Sequence, residues 1–396
     1  MIFSAVLGNA RHPEYGVATI PFPIKREDYD SVLELLRPLE IGDALTRDCK
    51  IDEMAGNYPV LKCIEGTTVN LDELDYLAKR LDSFDDYEAT QFQGMASRLN
   101  LCGVDELINL TFCSQQVTVI TDFNDLDRLG RSHYLTMQGG CASVDELNRI
   151  DGSKIARELI DYEVGRVTPF GVVYDNGMEL AQLYTGRNFP EYCYEASLLE
   201  VEMTHAAEPE DTKNTAYFLL PMAQAQIERT MHRAGVDIYA DMRLRFQGSC
   251  LPEEIDAALD MENETLTSLN EMCAELSELS PADITKLAAV VSLAKPETAE
   301  QIKNLAGQLD LFDFVPNVQT SADYGRYMIQ ESGRFDYDES LSEYYDFAKY
   351  GEQRMAQEDG EFNCRGYVAY HGFVSMDEVM GGVSSERLDF QMGGME

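Results

Sequence analysis

The stretch NLDELDYLAKRLDSFDDYEA, residues 70–89, decides how the rest of the chain is read. Leu71, Leu74, Leu77, Leu81 and Phe84 advance by three or four residues, which lays one apolar stripe along a helix. Asn70 is a good N-cap before the first leucine, and Asp85 followed by Glu88 marks a second helix start. The spacing therefore predicts a helix, a break and a second helix. The carboxylates Asp72, Glu73, Asp75, Asp82, Asp85 and Asp86 fall off the stripe, so a helix with one buried face leaves them in water. Catalytic carboxylates need partly buried settings that move their pKa values apart. These acids accordingly read as surface charge rather than as acid–base chemistry.

A partner stretch lies 195 residues further on, where Leu266, Leu269, Met272, Leu276 and Leu279 repeat the stripe. Thr265 stands where Asn70 stood, and Ser280 falls on Asp85, three residues before Asp283. Pro281 is the expected first-turn proline. The same offset carries Leu107-Ile108-Asn109-Leu110 onto Ile302-Lys303-Asn304-Leu305, and Gly130-Arg131 onto Gly325-Arg326. It also carries Phe170-Gly171-Val172-Val173 onto Arg365-Gly366-Tyr367-Val368. Upstream the offset becomes 198, pairing ATIPFPIKREDYDSVLEL from Ala18 with AYFLLPMAQAQIERTMHR from Ala216. Identities are few, so the shared register, caps and order carry the reading. It is a tandem duplication, with copy one over 1–195, copy two over 196–372, and a tail over 373–396 that has no counterpart.

Each copy is expected to open with a short strand (17–21; 217–220) and a helix (26–36; 223–233). A strand-like run, YPVLKCI at 58–64, precedes the acidic helix pair. Two further helices follow, at 127–138 and 153–164 in copy one and at 322–331 and 339–350 in copy two. A closing strand (171–174; 366–370) ends the unit, and HAAEPEDTKN at 205–214 reads as a surface loop. The fold class is α+β, an elongated tandem of small helix-rich subdomains with short antiparallel strands.

At 396 residues the chain is too long for one ordinary core. Its charge is the outlier: 71 acids against 31 bases, a net of −40. Residues 1–195 hold 33 acids and 17 bases, and residues 196–396 hold 38 and 14, so both halves share it. Such a field repels nucleic acid and anionic membranes and attracts basic surfaces. No apolar run reaches the ~18 residues of a membrane span, and MIFSAVLGNARHPEYG is not built as a signal peptide. Nine cysteines without C-x-x-C pairs fit reduced thiols and a cytoplasmic setting.

Nothing in the chain has the spacing of a catalytic or metal site. The histidines His12, His133, His205, His232 and His371 lack zinc-like partners. Walker-type, G-x-G-x-x-G and G-x-S-x-G motifs are absent. DYDES at 336–340 resembles a calcium loop, but Leu341 and Phe347 occupy the positions that need glycine and glutamate. The expectation is a non-enzyme with no cofactor and no metal.

Charge itself is then the candidate function. Duplex DNA carries one charge per ~1.7 Å of axis, so a net of −40 matches the phosphates of about twenty base pairs. Two base-free runs with interleaved aromatics stand out, DSFDDYEATQFQ (82–93) and FDYDESLSEYYDF (335–347). A solubilising face would pair its acids with Lys four residues on, yet only 10 of the 31 bases are Lys. Low Lys is equally a habit of proteins adapted to salt.

LTSLNEMCAELSEL, followed by SADYGRYMIQESGRFDYDESLSEYYDFAKYGEQ and FNCRGYVAYHG within 266–372, resembles ArdA-type antirestriction proteins. LDELDYLAKRL, LDRLGRSHYL, LIDYEVGR and FGVVY give a fainter version in copy one. The resemblance implies a mimic of bent duplex DNA, carried by mobile elements. Such a mimic occupies the DNA groove of type I restriction-modification enzymes or their methyltransferase core and spares incoming unmodified DNA. It implies competitive binding, without nucleic acid or membrane as partner. The acids it assigns to the partner surface are Asp323, Glu331, Asp336, Asp338, Glu339, Glu343 and Asp346. The repeat adds Asp72, Asp75, Asp82, Asp85, Asp86 and Glu88. Family members usually resemble one copy, so the two copies would form a pseudo-dimer in one chain, or the chain a homodimer. Alternatives are a mimic aimed at another defence nuclease of the CRISPR type, and an acidic scaffold for a basic partner.

Overall fold

The computed structural model describes residues 1–207, 215–236, 241–334 and 336–383. Most of the expected 205–214 loop, Phe335 of the second acidic run and the tail beyond Val383 lie outside the described residues. Two compact units divide the chain. The first comprises Met1–Tyr194, Thr212–Ala216 and Ala223–Asp237; the second comprises Glu195–Asp211, Tyr217–Met222 and Ile238–Glu396.

The first unit opens with β1 (Phe3–Asn9), β2 (Val17–Phe22), β3 (Cys49–Gly56) and β4 (Thr68–Val69), an antiparallel sheet in the order β2-β1-β3-β4. Alternation of apolar and polar residues turns Phe3, Ala5 and Leu7 into the core. Helix α1 (Tyr29–Leu36) follows β2. The opening stretch forms α2 (Leu71–Asp82) and α3 (Asp86–Leu99), with complete capping boxes at Asn70/Glu73 and Asp85/Glu88. Helix α4 (Val104–Leu110) completes this layer, and Leu71, Leu74, Leu77, Leu81, Phe92 and Leu107 share one core with the sheet.

A smaller module follows: β5 (Thr118–Ile120), α5 (Leu126–Met137), α6 (Val144–Arg149), α7 (Gly152–Tyr162), β6 (Arg166–Thr168) and β7 (Gly171–Tyr174). Its antiparallel sheet runs β5-β7-β6. Helices α5 and α7 cross so closely that a Cβ on Gly130 would lie 1.9 Å from the Gly152 carbonyl oxygen. Helix α8 (Gln224–Arg233) also belongs to this unit.

The second unit carries β8 (Leu199–His205), β9 (Ala216–Leu220) and β10 (Met242–Ser249) in the order β10-β8-β9. Then come α9 (Glu253–Asp256), α10 (Leu266–Ser277), α11 (Pro281–Ala294) and α12 (Ala299–Ala306). Next are β11 (Phe312–Pro316), α13 (Ser321–Gln330), α14 (Phe347–Glu358), β12 (Glu361–Asn363) and β13 (Gly366–Tyr370), with sheet order β11-β13-β12, and finally α15 (Met376–Met380).

Spacing within the two units corresponds closely. Buried Leu71, Leu74, Leu77, Ala78 and Leu81 of α2 recur in α10 as Leu266, Leu269, Met272, Cys273 and Leu276. A Cβ on Gly325 would meet the Phe347 carbonyl oxygen at 1.9 Å, the α13–α14 version of the α5–α7 crossing. Asp75 accepts a 2.7 Å hydrogen bond from the Ile24 N–H, and Asn270 accepts one of 2.8 Å from the Met222 N–H. Asn109 donates to the Tyr184 carbonyl at 2.8 Å, and Asn304 donates to the Met380 carbonyl at 2.8 Å. The segment after β13 thus makes a tie that the segment after β7 also makes.

The architecture is α+β with small antiparallel sheets, as the periodicity predicts. Three local expectations fail. The strands expected to open each copy come second, because β1 (Phe3–Asn9) and β8 (Leu199–His205) precede β2 and β9 and occupy the middle of their sheets. Residues Pro59–Ile64 form a 3₁₀ helix, not a strand, because Pro59 opens the run without an N–H to give to a ladder. The helix expected at 339–350 is a 3₁₀ turn, Glu339–Tyr344, followed by α14 starting at Phe347, because the Asp346 side chain caps the Lys349 N–H and restarts the helix.

Candidate functional site

The first half of α2 is buried all round. Asp72, Glu73 and Asp75 are only 7%, 1% and 5% exposed. This corrects the expectation that they lie in water. The apolar stripe fixes which face meets the main core but says nothing of the opposite face, where α1, α8 and residues 183–189 place cations and tyrosines. Asp72 accepts from the Tyr29 hydroxyl, from Arg229 Nε at 3.0 Å and from Arg233. Arg229 and Arg233 are themselves buried. Burial pushes the Asp72 carboxyl up, but the two guanidinium groups pull harder and hold its pKa below the ordinary value. Glu73 accepts a fork from Arg47 (3.0 and 2.6 Å), closes the cap on the Asn70 N–H at 3.0 Å and takes the Tyr184 hydroxyl at 3.1 Å. Asp75 meets Lys79 Nζ at 2.8 Å, yet burial dominates and leaves its pKa raised.

These contacts take Asp72 and Asp75 out of any surface that a partner could touch. They are a closed ion-pair network, and none of the arginines is visible as a partner from local spacing, since Asp72 and Arg233 are 161 residues apart.

The remaining acids of the opening stretch lie at the α2–α3 turn. Asp82, Asp85 and Asp86 are exposed and Glu88 is half-buried. Asp85 is the α3 cap, accepting from the Tyr87 and Glu88 N–H groups at 2.8 Å each. The Tyr194 hydroxyl donates to Asp82.

In the second unit, the segment joining α13 to α14 gathers the others. Glu331, Asp336, Asp338, Glu339, Glu343 and Asp346 are all exposed within sixteen consecutive positions, and Asp323 is half-buried near the start of α13. Asp338 accepts from the Ser340 hydroxyl (2.7 Å) and N–H (2.9 Å), which holds its carboxyl below the ordinary value. Asp323 has Arg326 at 4.0 Å, the edge of ion-pair range. Among the described residues, no base pairs with Glu331, Asp336, Asp338, Glu339, Glu343 or Asp346. The exposed Tyr344 stands among them. Helices α13 and α14, which flank the segment, are tied to each other and to β13 by Tyr324 and Tyr367, whose hydroxyls donate to Glu358 at the end of α14 at 2.6 and 3.1 Å. The arrangement is an array of exposed carboxylates in which Arg334 is the one base of the stretch 331–346 and pairs with none of them among the described residues.

Residues 214–369 match the family model described as Antirestriction protein (ArdA). The resemblance read over 266–372 thus begins earlier, at β9, and takes in α8 and β10. The ArdA match covers less than half of the chain, and Asp323, Glu331, Asp336, Asp338, Glu339, Glu343 and Asp346 all lie inside it. Asp82, Asp85, Asp86 and Glu88 lie outside it. No curated protein matches the chain.

Among the described residues, no three His, Cys, Asp or Glu side chains are grouped to hold a metal ion. No described helix is long and apolar enough to cross a membrane.

Proposed function

We propose that this protein is an antirestriction protein acting as an acidic mimic of duplex DNA. It occupies the DNA-binding groove of a type I restriction-modification enzyme and so protects incoming mobile-element DNA. The observation that carries this reading is the coincidence of the ArdA match with the uncompensated acids of the α13–α14 segment. Surface carboxylates not held in ion pairs present their charge outward, which is what a groove lined with Lys and Arg for phosphates binds. The mechanism is competition, with no covalent step and no cofactor, and the protein works in the cytoplasm, where the target enzymes meet DNA.

The same reading holds that the chain is two fused ArdA-like copies. Its support is the correspondence, at an offset of 195, of core positions, of the helix crossings at Gly130 and Gly325, and of the tying residues Asp75/Asn270 and Asn109/Asn304. A pseudo-dimer in a single chain follows from it.

The test is restriction relief. Unmodified phage is plated on a type I restricting host with and without the protein, beside a restriction-deficient control. Plating should rise toward the control, and duplex DNA should displace the protein from the purified methyltransferase core. No rise in plating overturns the type I target. Binding that duplex DNA fails to displace overturns mimicry itself in favour of an acidic scaffold.

A further inference from the structure

The first unit contains a cavity of about 240 Å³ whose wall is positive, in a chain of net charge −40. Arg47, Arg187 and Arg233 line it, with Glu73, Tyr184 and Phe189. Two of the three guanidinium groups are already neutralised, Arg47 by Glu73 and Arg233 by Asp72. Arg187 is not. Its Nε donates to the Arg233 carbonyl oxygen, which fixes the plane of the group, and among the described residues no carboxylate pairs with it. Arg233 is also braced, its guanidinium lying 5.1 Å from the Phe189 ring centre, and Phe189 stacks on Tyr184 at 4.9 Å.

We propose that this cavity is a binding site for a small oxyanion of the phosphate type, held chiefly by Arg187. The guanidinium fork matches the oxygens of a tetrahedral anion, and a prefixed plane loses little freedom on binding. Distant acids do not forbid it, because charges beyond ~8 Å are largely screened at physiological salt. Size sets the class of ligand. Sites for drug-sized molecules run from ~300 Å³ upward, so this cavity suits the anion alone rather than a nucleotide. The proposal is independent of the antirestriction reading, since nothing in it involves the acidic surface.

The experiment is calorimetric titration of the full chain with inorganic phosphate, at ionic strength balanced with sodium chloride. A saturable one-site heat is expected. Arg187→Ala and Arg187→Gln should each weaken it at least tenfold, whereas Arg334→Ala, an exposed arginine of the second unit, should leave it unchanged. Arg187 is exposed, and a thermal melt matching that of the parent separates lost binding from lost folding. Adenosine monophosphate should bind no tighter than phosphate. Absence of saturable heat in the parent, or equal heat in both Arg187 variants, overturns the site. Tighter binding of the nucleotide overturns the size argument.

Discussion

Two carboxylates one helical turn apart in α2 carry opposite energetic signs. Asp72 is held ionised by Arg233 and Arg229, so its folded pKa lies below the unfolded value of ~3.9. Its contribution to stability is present above that value and is lost as pH falls through the folded pKa. Asp72→Asn leaves two buried guanidinium groups without their anion, and breaking such a pair typically costs about 3–5 kcal/mol. In urea melts the variant should be markedly less stable at pH 7 and should lose the part of the acid dependence below about pH 4 that Asp72 supplies. Asp75 behaves in reverse. Its pKa is raised, so its favourable contribution exists below the unfolded value and fades as pH rises through the folded one. Asp75→Asn should therefore cost much less than Asp72→Asn at pH 7, because an amide oxygen can still accept from the Ile24 N–H, as Asn270 does from Met222. A loss equal to that of Asp72→Asn would show that the Lys79 pair, not the backbone acceptor, is what matters at that position. None of this is legible in the sequence. Periodicity marks the face that meets the main core, but the cationic partners of Asp72 sit on α8, 157 and 161 residues away.

At the scale of elements the sequence is most legible where local chemistry decides. The caps at Asn70, Asp85, Thr265 and Ser280 stop and start helices without help from distant residues, and α2, α3, α10 and α11 fall where they were expected. Strands β1 and β8 do not stand out in the sequence, since seven-residue alternations are weak signals until the sheet pairs them. The α13–α14 crossing lies between these extremes. Gly325 shows in the repeat as a shared glycine, but its purpose is a close backbone approach that only packing reveals. Gly325→Ala would drive a methyl into the Phe347 carbonyl. The helices must then separate, at a cost of about 1–3 kcal/mol or more. Because the crossing sets the two ends of the acidic segment, the variant should also lower restriction relief. Gly130→Ala should destabilise the first unit comparably and spare relief, if the second unit is the one that meets the target. Denaturant melts read beside phage plating separate the two effects. Unchanged relief in a well-folded Gly325→Ala protein would show that the segment's position is not critical.

At the scale of the whole molecule, −40 charges impose a conflict between stability and binding. Like charges repel in the folded state, so raising sodium chloride from about 0.05 M to about 0.5 M should stabilise the fold while weakening the complex with a basic groove. Melting temperature and affinity should move in opposite directions, whereas a partner bound by apolar contacts would let both rise. The distribution of the charge leads to the sharper test. A surface mimic spreads its binding over many weakly contributing contacts. Reversing Asp336, Asp338, Glu339 and Glu343 to Lys one at a time should therefore lower restriction relief by small steps, and reversing them together should abolish it. Loss of all relief from one substitution would instead mark a single anchoring carboxylate, and mimicry would be the wrong description. In the first unit the matching experiment uses Asp82→Lys and Asp86→Lys, leaving Asp85 intact because it caps α3. These two should lower relief less than the second-unit set, since the ArdA match lies wholly outside them and the first half of the chain carries the smaller net charge. An equal loss would mean that both units present charge to the enzyme, and that the length of the mimic, not one copy of it, determines affinity.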